Sequence, residues 1–353
     1  MKFKINRILI IMILMCFTLV SCDNNDNNKT KDPVNSELMD AVNLLKFDNK
    51  TVDYDGKYHS IYLKGELPEG IQVEYINNNQ INPGIYQVSA KLNDTLNRGL
   101  NLPTFNATLS IYDTIVVAAM PGHNSEILEA AKPLLKEKGY KLETKTYYDY
   151  DTLNYELNDG RIDANFFQHV AYLKNFNEKN GTSLVSAGKI FYFSDGLFGK
   201  EIKDINNIPK GTRICLPMLH LSHALALLSE YNLIEIDENK NVDSGLTMED
   251  IVNYNGYEIE IMQDESLSYY QNMDNTIIYD SIYKAYSNGM EVSNLLASYE
   301  PKIEYINNIA NIIAVKEGNE NNLKILALVE VLKSQEIKEY ITNTYNGACV
   351  PVL

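Results

Sequence analysis

From Thr114 onward the chain alternates short apolar runs with helix-forming stretches, and this alternation restricts its fold more than any other feature. TIVVAAM reads as an apolar strand, PGHNSE as a turn with a helix start, and ILEAAKPLLKEKGY as an amphipathic helix closing on Gly139. KLETKTYY supplies the next strand, YDTLNYELNDGR a helix and its exit, and IDANFFQHVAYLKNFNEKNG a strand end running into another helix. Strand, turn, helix, strand is a βαβ unit. GTRICLP followed by HALALLSEYNLI begins the alternation again, so two α/β lobes of about a hundred residues each are expected.

The preceding stretch, 47 to 112, has a different period. HSIYLKGEL, IQVEYINN, IYQVSAKL and ATLSIYD alternate polar and apolar residues and are separated by the turn signals Pro68-Glu69-Gly70 and Pro83-Gly84. That pattern predicts a small all-β, sandwich-like module. Tyr54-Asp55-Gly56, Leu67-Pro68-Glu69-Gly70 and Gly84-Ile85-Tyr86 resemble points of the small bacterial immunoglobulin-like repeats of surface proteins, which implies a spacer without a ligand of its own.

The N-terminus combines Lys2, Lys4 and Arg7 with the largely apolar run Ile8 to Val20. This run falls short of the roughly 20 apolar residues that a membrane-spanning helix needs, and reads instead as a secretory signal. Leu19-Val20-Ser21-Cys22 resembles the lipobox of bacterial lipoproteins, which implies a lipid such as palmitate on Cys22 and removal of residues 1–21. The remaining chain, about 330 residues, suits two or three units. The expected division is 22–46 for anchor linker and short helix, 47–112 for the β module, 113–200 with 308–353 for lobe 1, and 201–307 for lobe 2. Residues 23–33, DNNDNNKTKDP, are polar and serve as a solvated tether.

With 31 basic against 47 acidic residues the net charge is −16, and no cluster of Lys and Arg is available to track a phosphate backbone. Nucleic acid is therefore not an expected partner. Of the four cysteines, Cys16 leaves with the signal and Cys22 carries the lipid. Cys215 and Cys349 remain, too few for a disulfide framework, and their settings RICLP and GACVP suit buried free thiols.

In open α/β sheets ligands collect beyond the carboxyl ends of the strands. Pro121 to Ser125, Phe166 to Tyr172 and Met218 to His223 all fall there, which makes DANFFQHVAYL a candidate cleft wall. PGHNSEILEAAKPLLKEKGY, DGRIDANFFQHVAYL, LVSAGKI and YNGACVP together resemble the NlpA or MetQ-like lipoproteins, which deliver methionine to an ABC importer. The resemblance runs from about residue 114 to the end. It implies a two-lobed periplasmic-binding-protein fold of type II and a small, methionine-like ligand between the lobes. It further implies an ABC permease as partner, a lipid-anchored place on the extracytoplasmic face of the cell membrane, and no cofactor.

Ligand-binding roles for Phe166, Phe167, Gln168, His169 and Tyr172 also follow from the resemblance. Sulfur beside aromatic rings is favourable by ~0.3 to 1.5 kcal/mol, so such a wall suits a thioether. Asn165 is expected to cap the following helix, and one of Phe166 and Phe167 to face the core, since successive residues diverge around a helix.

The chain departs from the family pattern at several positions. Ala171 replaces a proline, and LPMLHLSHALALL is two residues shorter than the corresponding segment. His223 stands where an arginine holds the ligand carboxylate, and an asparagine of that loop has no counterpart. Tyr279-Asp280-Ser281 replaces Asn-Gly-Asn, bringing Ser281 into the candidate set. Either a protonated His223 takes over the carboxylate, or the ligand is another small molecule. A surface adhesion or scaffold protein that has lost its ligand is the other class of reading.

No catalytic residue is expected. His169 with Ser125 or Ser222 and Asp163 would supply the residue types, but there is no nucleophile elbow, P-loop or dinucleotide fingerprint. No metal site is expected either. His220 and His223 share a helical face at i and i+3, with His123 or His169 as conceivable companions, yet spacing fixes no third ligand.

Overall fold

The computed structural model describes residues 33–262 and 268–352; the signal segment, Cys22 and the tether up to Lys31 and Asp32 lie outside the described residues. The strand Thr104–Ala119 is the longest in the molecule and belongs to two neighbourhoods at once. Its first half, to Ile111, pairs antiparallel with Gly84–Asp94, which pairs in turn with Ile71–Ile76. Leu109 to Tyr112 also pair in parallel with the edge strand Lys50–Asp53. From Asp113 the same strand pairs in parallel with Tyr140–Thr146, and at Val117 to Ala119 with Ala164–His169.

The change of partner follows from the sequence pattern. In TFNATLSIY the side chains alternate, because one face packs on Val88, Leu92 and the helix Pro33–Asn43 while the other meets water. In IVVAA both faces are covered by helices, and a strand buried on both sides reads as a continuous apolar run. The hydrogen-bonded strands of the β module form one sheet. Facing it are the helix Pro33–Asn43 and irregular chain carrying Ile61 and Leu63, tied by isolated bridges Lys46 to Lys64 and His59 to Gln80. A second hydrogen-bonded sheet is not found there among the described residues.

The seam between module and lobe is tight. Gly139 has φ +86°, and a Cβ on it would stand 2.1 Å from the Gly84 nitrogen and 2.8 Å from the Ile111 oxygen. Asp113 N–H donates to the Gly139 carbonyl at 3.0 Å, closing the join.

In the first lobe the sheet continues from Ala164–His169 through Asn311–Lys316 and Leu184–Phe193 to Cys349–Pro351, these last pairings all antiparallel. Helices His123–Glu137, Leu323–Leu332 and Gln335–Tyr345 cover one face over Ile115, Val117 and Phe166. Helices Tyr150–Asn158 and Val170–Asn180 cover the other over Ala118, Phe167 and Ile312.

The second lobe has a five-stranded sheet in the order Glu258–Met262, Arg213–Pro217, Thr276–Ser281, Asp195–Gly199, Leu295–Ser298. The helix Leu221–Glu230 packs on one face, and Ile282–Ser287 on the other. Because Asp195–Gly199 pairs only within this second sheet, the chain crosses over at Ser194, six residues before the boundary expected at residue 200. It returns through the helix Ile303–Ile309 to the strand Asn311–Lys316. Two crossovers between two α/β lobes are the architecture of a type II periplasmic binding protein.

Cys215 and Cys349 are buried free thiols. Burial pushes the Cys215 thiol up to about 11, so it stays protonated and unreactive at neutral pH.

Candidate functional site

Ser194 ties the lobes together through its backbone: its N–H donates to the Ala348 carbonyl at 3.2 Å and its carbonyl accepts from Ile282 N–H at 2.9 Å. Beside this crossover lies a cleft of about 570 Å³. The first lobe contributes Tyr150, His169, Tyr192 and Phe193. Asp195, His220, Ser281 and Tyr283 come from the second, and Tyr299 and Tyr305 from the returning crossover. Among the described residues no lysine or arginine lines it, so its polar character comes from one carboxylate, two imidazoles and hydroxyls.

His169 ends the strand Ala164–His169 and caps the helix that follows. Its Nδ1 accepts the Tyr172 backbone N–H at 3.2 Å, which requires the neutral ring with its proton on Nε2. Burial lowers its pKa below the ordinary value, in keeping with that form. Cap duty belongs to His169 and not to Asn165, whose amide donates to Asn154 Oδ1 at 2.9 Å and the Leu153 carbonyl at 3.1 Å.

Four of the five expected wall residues, all but His169, do not line the cleft. Phe166 is fully buried in the core under the helix His123–Glu137. Phe167 points to the opposite face and is covered by Tyr150, whose ring stacks on it at 5.6 Å and 29°. The segment is a strand rather than a helix start, so the two side chains part to opposite faces, and helices bury both. Gln168 is 3% exposed and belongs to a closed amide network, donating to Asn154 Oδ1 at 2.7 Å and Asn165 Oδ1 at 2.9 Å and accepting from Asn154 at 3.0 Å. Tyr172 packs edge-on against Phe167 and donates to Asp151 at 3.0 Å. Burial, with Asp151 beside it, pushes its phenol up to about 12.

On the second-lobe side Ser281 lines the cleft, while its neighbours are engaged internally: Asp280 accepts from Tyr270 at 2.6 Å and pairs with Lys284 at 3.2 Å. His223 does not line this cleft. It stacks on Tyr299 at 4.8 Å, meets Tyr305 edge-on at 4.3 Å, and faces a neighbouring hollow of about 290 Å³ with Ser222 and Lys302. Burial lowers its pKa, the opposite of what a cation standing in for an arginine needs. His220 is the imidazole at the surface, with Nδ1 2.9 Å from Asp195 Oδ2. Tyr279 donates to the same oxygen at 3.4 Å.

His123 is enclosed by Tyr283 at 4.2 Å, Tyr345 at 4.8 Å and Phe193 at 5.3 Å, an aromatic contact that spans the two lobes. Ser125 donates to the Gly122 carbonyl, Ser222 to the Val242 carbonyl, and Asp163 accepts from Val116 N–H and pairs with Lys324. Each of these residues, whose types could have served catalysis beside His169, thus has a structural bond of its own.

A family model described as NlpA lipoprotein matches residues 115–353. The chain belongs to the NlpA lipoprotein family. That family is a class of substrate-binding lipoproteins rather than of enzymes. The match begins inside the long strand, so the β module precedes the family's own region. Among NlpA relatives, the methionine-binding lipoprotein MetQ of Bacillus subtilis is 36% identical over 244 residues, covering 67% of this chain and 88% of the relative. The D-methionine-binding lipoprotein MetQ of Salmonella typhi is 26% identical over 243 residues, covering 67% and 87%. The crystal structure of a pheromone cOB1 precursor lipoprotein of the YaeC family from Enterococcus faecalis aligns with a TM-score of 0.52 at 32% identity, covering 68% of this chain and all of that one.

Tyr150, Tyr192, Phe193 and Tyr283 were signalled by no motif, because they come from three separate segments. A sign was available for Asp195: FSDGLF sets one carboxylate between two apolar strands, an unusual place for an unpaired charge. Among the described residues, no helix is long and apolar enough to cross a membrane.

Proposed function

We propose that the chain is the lipid-anchored, extracytoplasmic solute-binding component of an ABC importer, holding methionine or a related amino-acid-like ligand between its lobes. The observation that carries this reading is the cleft at the Ser194 crossover, lined from both lobes, in a chain 36% identical to a protein named for binding methionine. Tyr150, Tyr192, Phe193 and Tyr283 form an apolar, aromatic wall for a thioether or similar tail, where full burial is worth roughly 1.5 to 3 kcal/mol and sulfur–ring contact ~0.3 to 1.5 kcal/mol. His169 Nε2–H and the Ser281 hydroxyl offer hydrogen bonds to the polar end.

Closure follows a hinge at Ser194 and the returning crossover, with ligand contacts to both lobes favouring the closed form. The closed form then docks on a membrane permease. The ligand leaves as it entered, since each candidate nucleophile and base has a structural partner.

Mass spectrometry of the small molecules that copurify with the mature protein tests the reading. One equivalent of an amino-acid-like molecule is expected, and its displacement by added methionine identifies the class. Protein that carries nothing and whose thermal midpoint is unmoved by methionine or other amino acids contradicts it. The anchor is tested separately by Cys22→Ser, which is expected to move the protein from the membrane fraction to the soluble one.

A further inference from the structure

Sequence spacing supplies two imidazoles, His220 and His223, but no third ligand. Folding supplies it. Asp195 begins the strand after the crossover, and the turn Met218–His220 carries the histidines past it, so that one ligand atom from each of the three residues lies within 4.8 Å of the other two. We propose that Asp195, His220 and His223 bind a divalent transition-metal ion of the zinc class on the second-lobe side of the cleft.

The donor set agrees with that class. Two imidazoles and one carboxylate suit zinc, cobalt, nickel or copper, whereas magnesium and calcium take mostly oxygen ligands. In a tetrahedral zinc site with bonds of about 2.0 to 2.2 Å, neighbouring ligand atoms stand roughly 3.3 to 3.5 Å apart. His220 Nδ1 and Asp195 Oδ2 stand at a hydrogen-bond distance of 2.9 Å, which opens by about 0.5 Å to admit an ion, and the third ligand atom, within 4.8 Å, closes by small rotations of the partly exposed side chains. Tyr279, donating to Asp195 at 3.4 Å, orients the carboxylate, and the rings of Tyr299 and Tyr305 hold the plane of His223. Such outer partners are the usual accompaniment of a metal site.

Three protein ligands leave one coordination position open. His220 and Asp195 line the cleft, so that position faces the bound solute. Among the described residues the cleft has no lysine or arginine on its walls, and a metal there supplies the positive charge that a carboxylate-bearing solute requires. Chelation of an amino acid through its amine and carboxylate is the chemistry that fits. This second step rests on the amino-acid reading proposed above; metal binding itself does not.

The test uses the mature protein stripped with a chelator and titrated with zinc by calorimetry and with cobalt by visible absorption. One ion per chain is expected, with the intense absorption of tetrahedral cobalt. His220→Ala and His223→Ala are expected to weaken zinc by about 100-fold or more, and Asp195→Asn, which keeps shape and hydrogen bonding, by about 10- to 100-fold. His59→Ala, at a histidine paired with Asp55 on the β module, should leave affinity unchanged. Thermal unfolding and circular dichroism of each variant guard against loss of zinc through failure to fold. Absence of saturable one-to-one binding, or unchanged affinity in the His220→Ala, His223→Ala double variant, overturns the proposal. Repeating a methionine titration with and without zinc separates the two readings: zinc bound but methionine refused removes the ligand class and leaves the metal site standing.

Discussion

The two lobes meet the cleft with different materials. The first presents Tyr150, Tyr192 and Phe193, rings whose positions are set by packing on Phe167 and Phe191 and by the closed Asn154, Asn165 and Gln168 network beneath. The second presents Tyr283 together with Asp195, His220 and Ser281, a carboxylate, an imidazole and a hydroxyl that face the first lobe's His169 across the gap. A wall built into a core can change little without cost to folding, whereas polar groups on a rim can change freely. The first lobe therefore supplies most of the fixed aromatic surface and one hydrogen-bonding group, His169, while the second adds Tyr283 and most of the polar groups that meet the solute's other end.

The comparison breaks most visibly at Phe166. As a fully buried core residue its change to alanine is expected to cost about 3 to 5 kcal/mol in denaturant unfolding, while solute affinity of the surviving folded protein stays the same. A large loss of affinity with little loss of stability would instead put this ring on the cleft wall. Gln168→Leu is expected to cost roughly 1 to 3 kcal/mol by stranding the buried amides of Asn154 and Asn165, again with affinity unchanged.

On the second lobe the signs reverse. Ser281→Ala should leave the unfolding free energy within about 0.5 kcal/mol of wild type and weaken the solute by about 1 kcal/mol, or roughly fivefold, in a calorimetric titration. If stability falls and affinity does not, the two lobes are not divided in this way.

The smallest effect concerns acid. Burial depresses the pKa of His123, His169 and His223 below the ordinary 6.5, so the unfolded chain binds more protons on the acid side. Their contribution is full above about pH 6.5 and is lost as pH falls through the folded values. His169→Asn keeps an oxygen to accept the Tyr172 N–H but cannot titrate, so the loss of stability on acidification from about pH 7.5 to 5 should be smaller in the variant than in wild type. Identical pH profiles for variant and wild type would show that His169 plays no titrating part.

Much of the fold was legible because period carries it. The alternation in IYQVSAKL and the repeated strand–turn–helix order after Thr114 gave elements that the structure contains. What escaped was the join. The change of pattern at Thr114 reads as a boundary, yet one strand, Thr104–Ala119, runs straight through it; only its surroundings change, from water on one face to helices on both.

The site was less legible, for two physical reasons. Phe166, Phe167 and Gln168 look like ligand contacts when their segment is read as a helix start, but a strand sends neighbours to opposite faces and both faces here are covered. Tyr150 and Tyr283 lie far in sequence from Phe193 and Asp195, which flank Ser194, and the four meet only through that crossover, which no local pattern announces. His169 and Ser281, brought into the candidate set by the resemblance, each end a strand at the edge that faces the cleft.

The claim beneath all of this is that the gap beside Ser194 accepts a small solute. Calorimetric titration of the mature protein with L- and D-methionine, in wild type and in Ser281→Trp, addresses it directly. The account predicts one saturable site in the wild type, with Kd of about 1 μM or tighter, near −8 kcal/mol, and no binding once the indole fills the space. Equal binding by both proteins would contradict it.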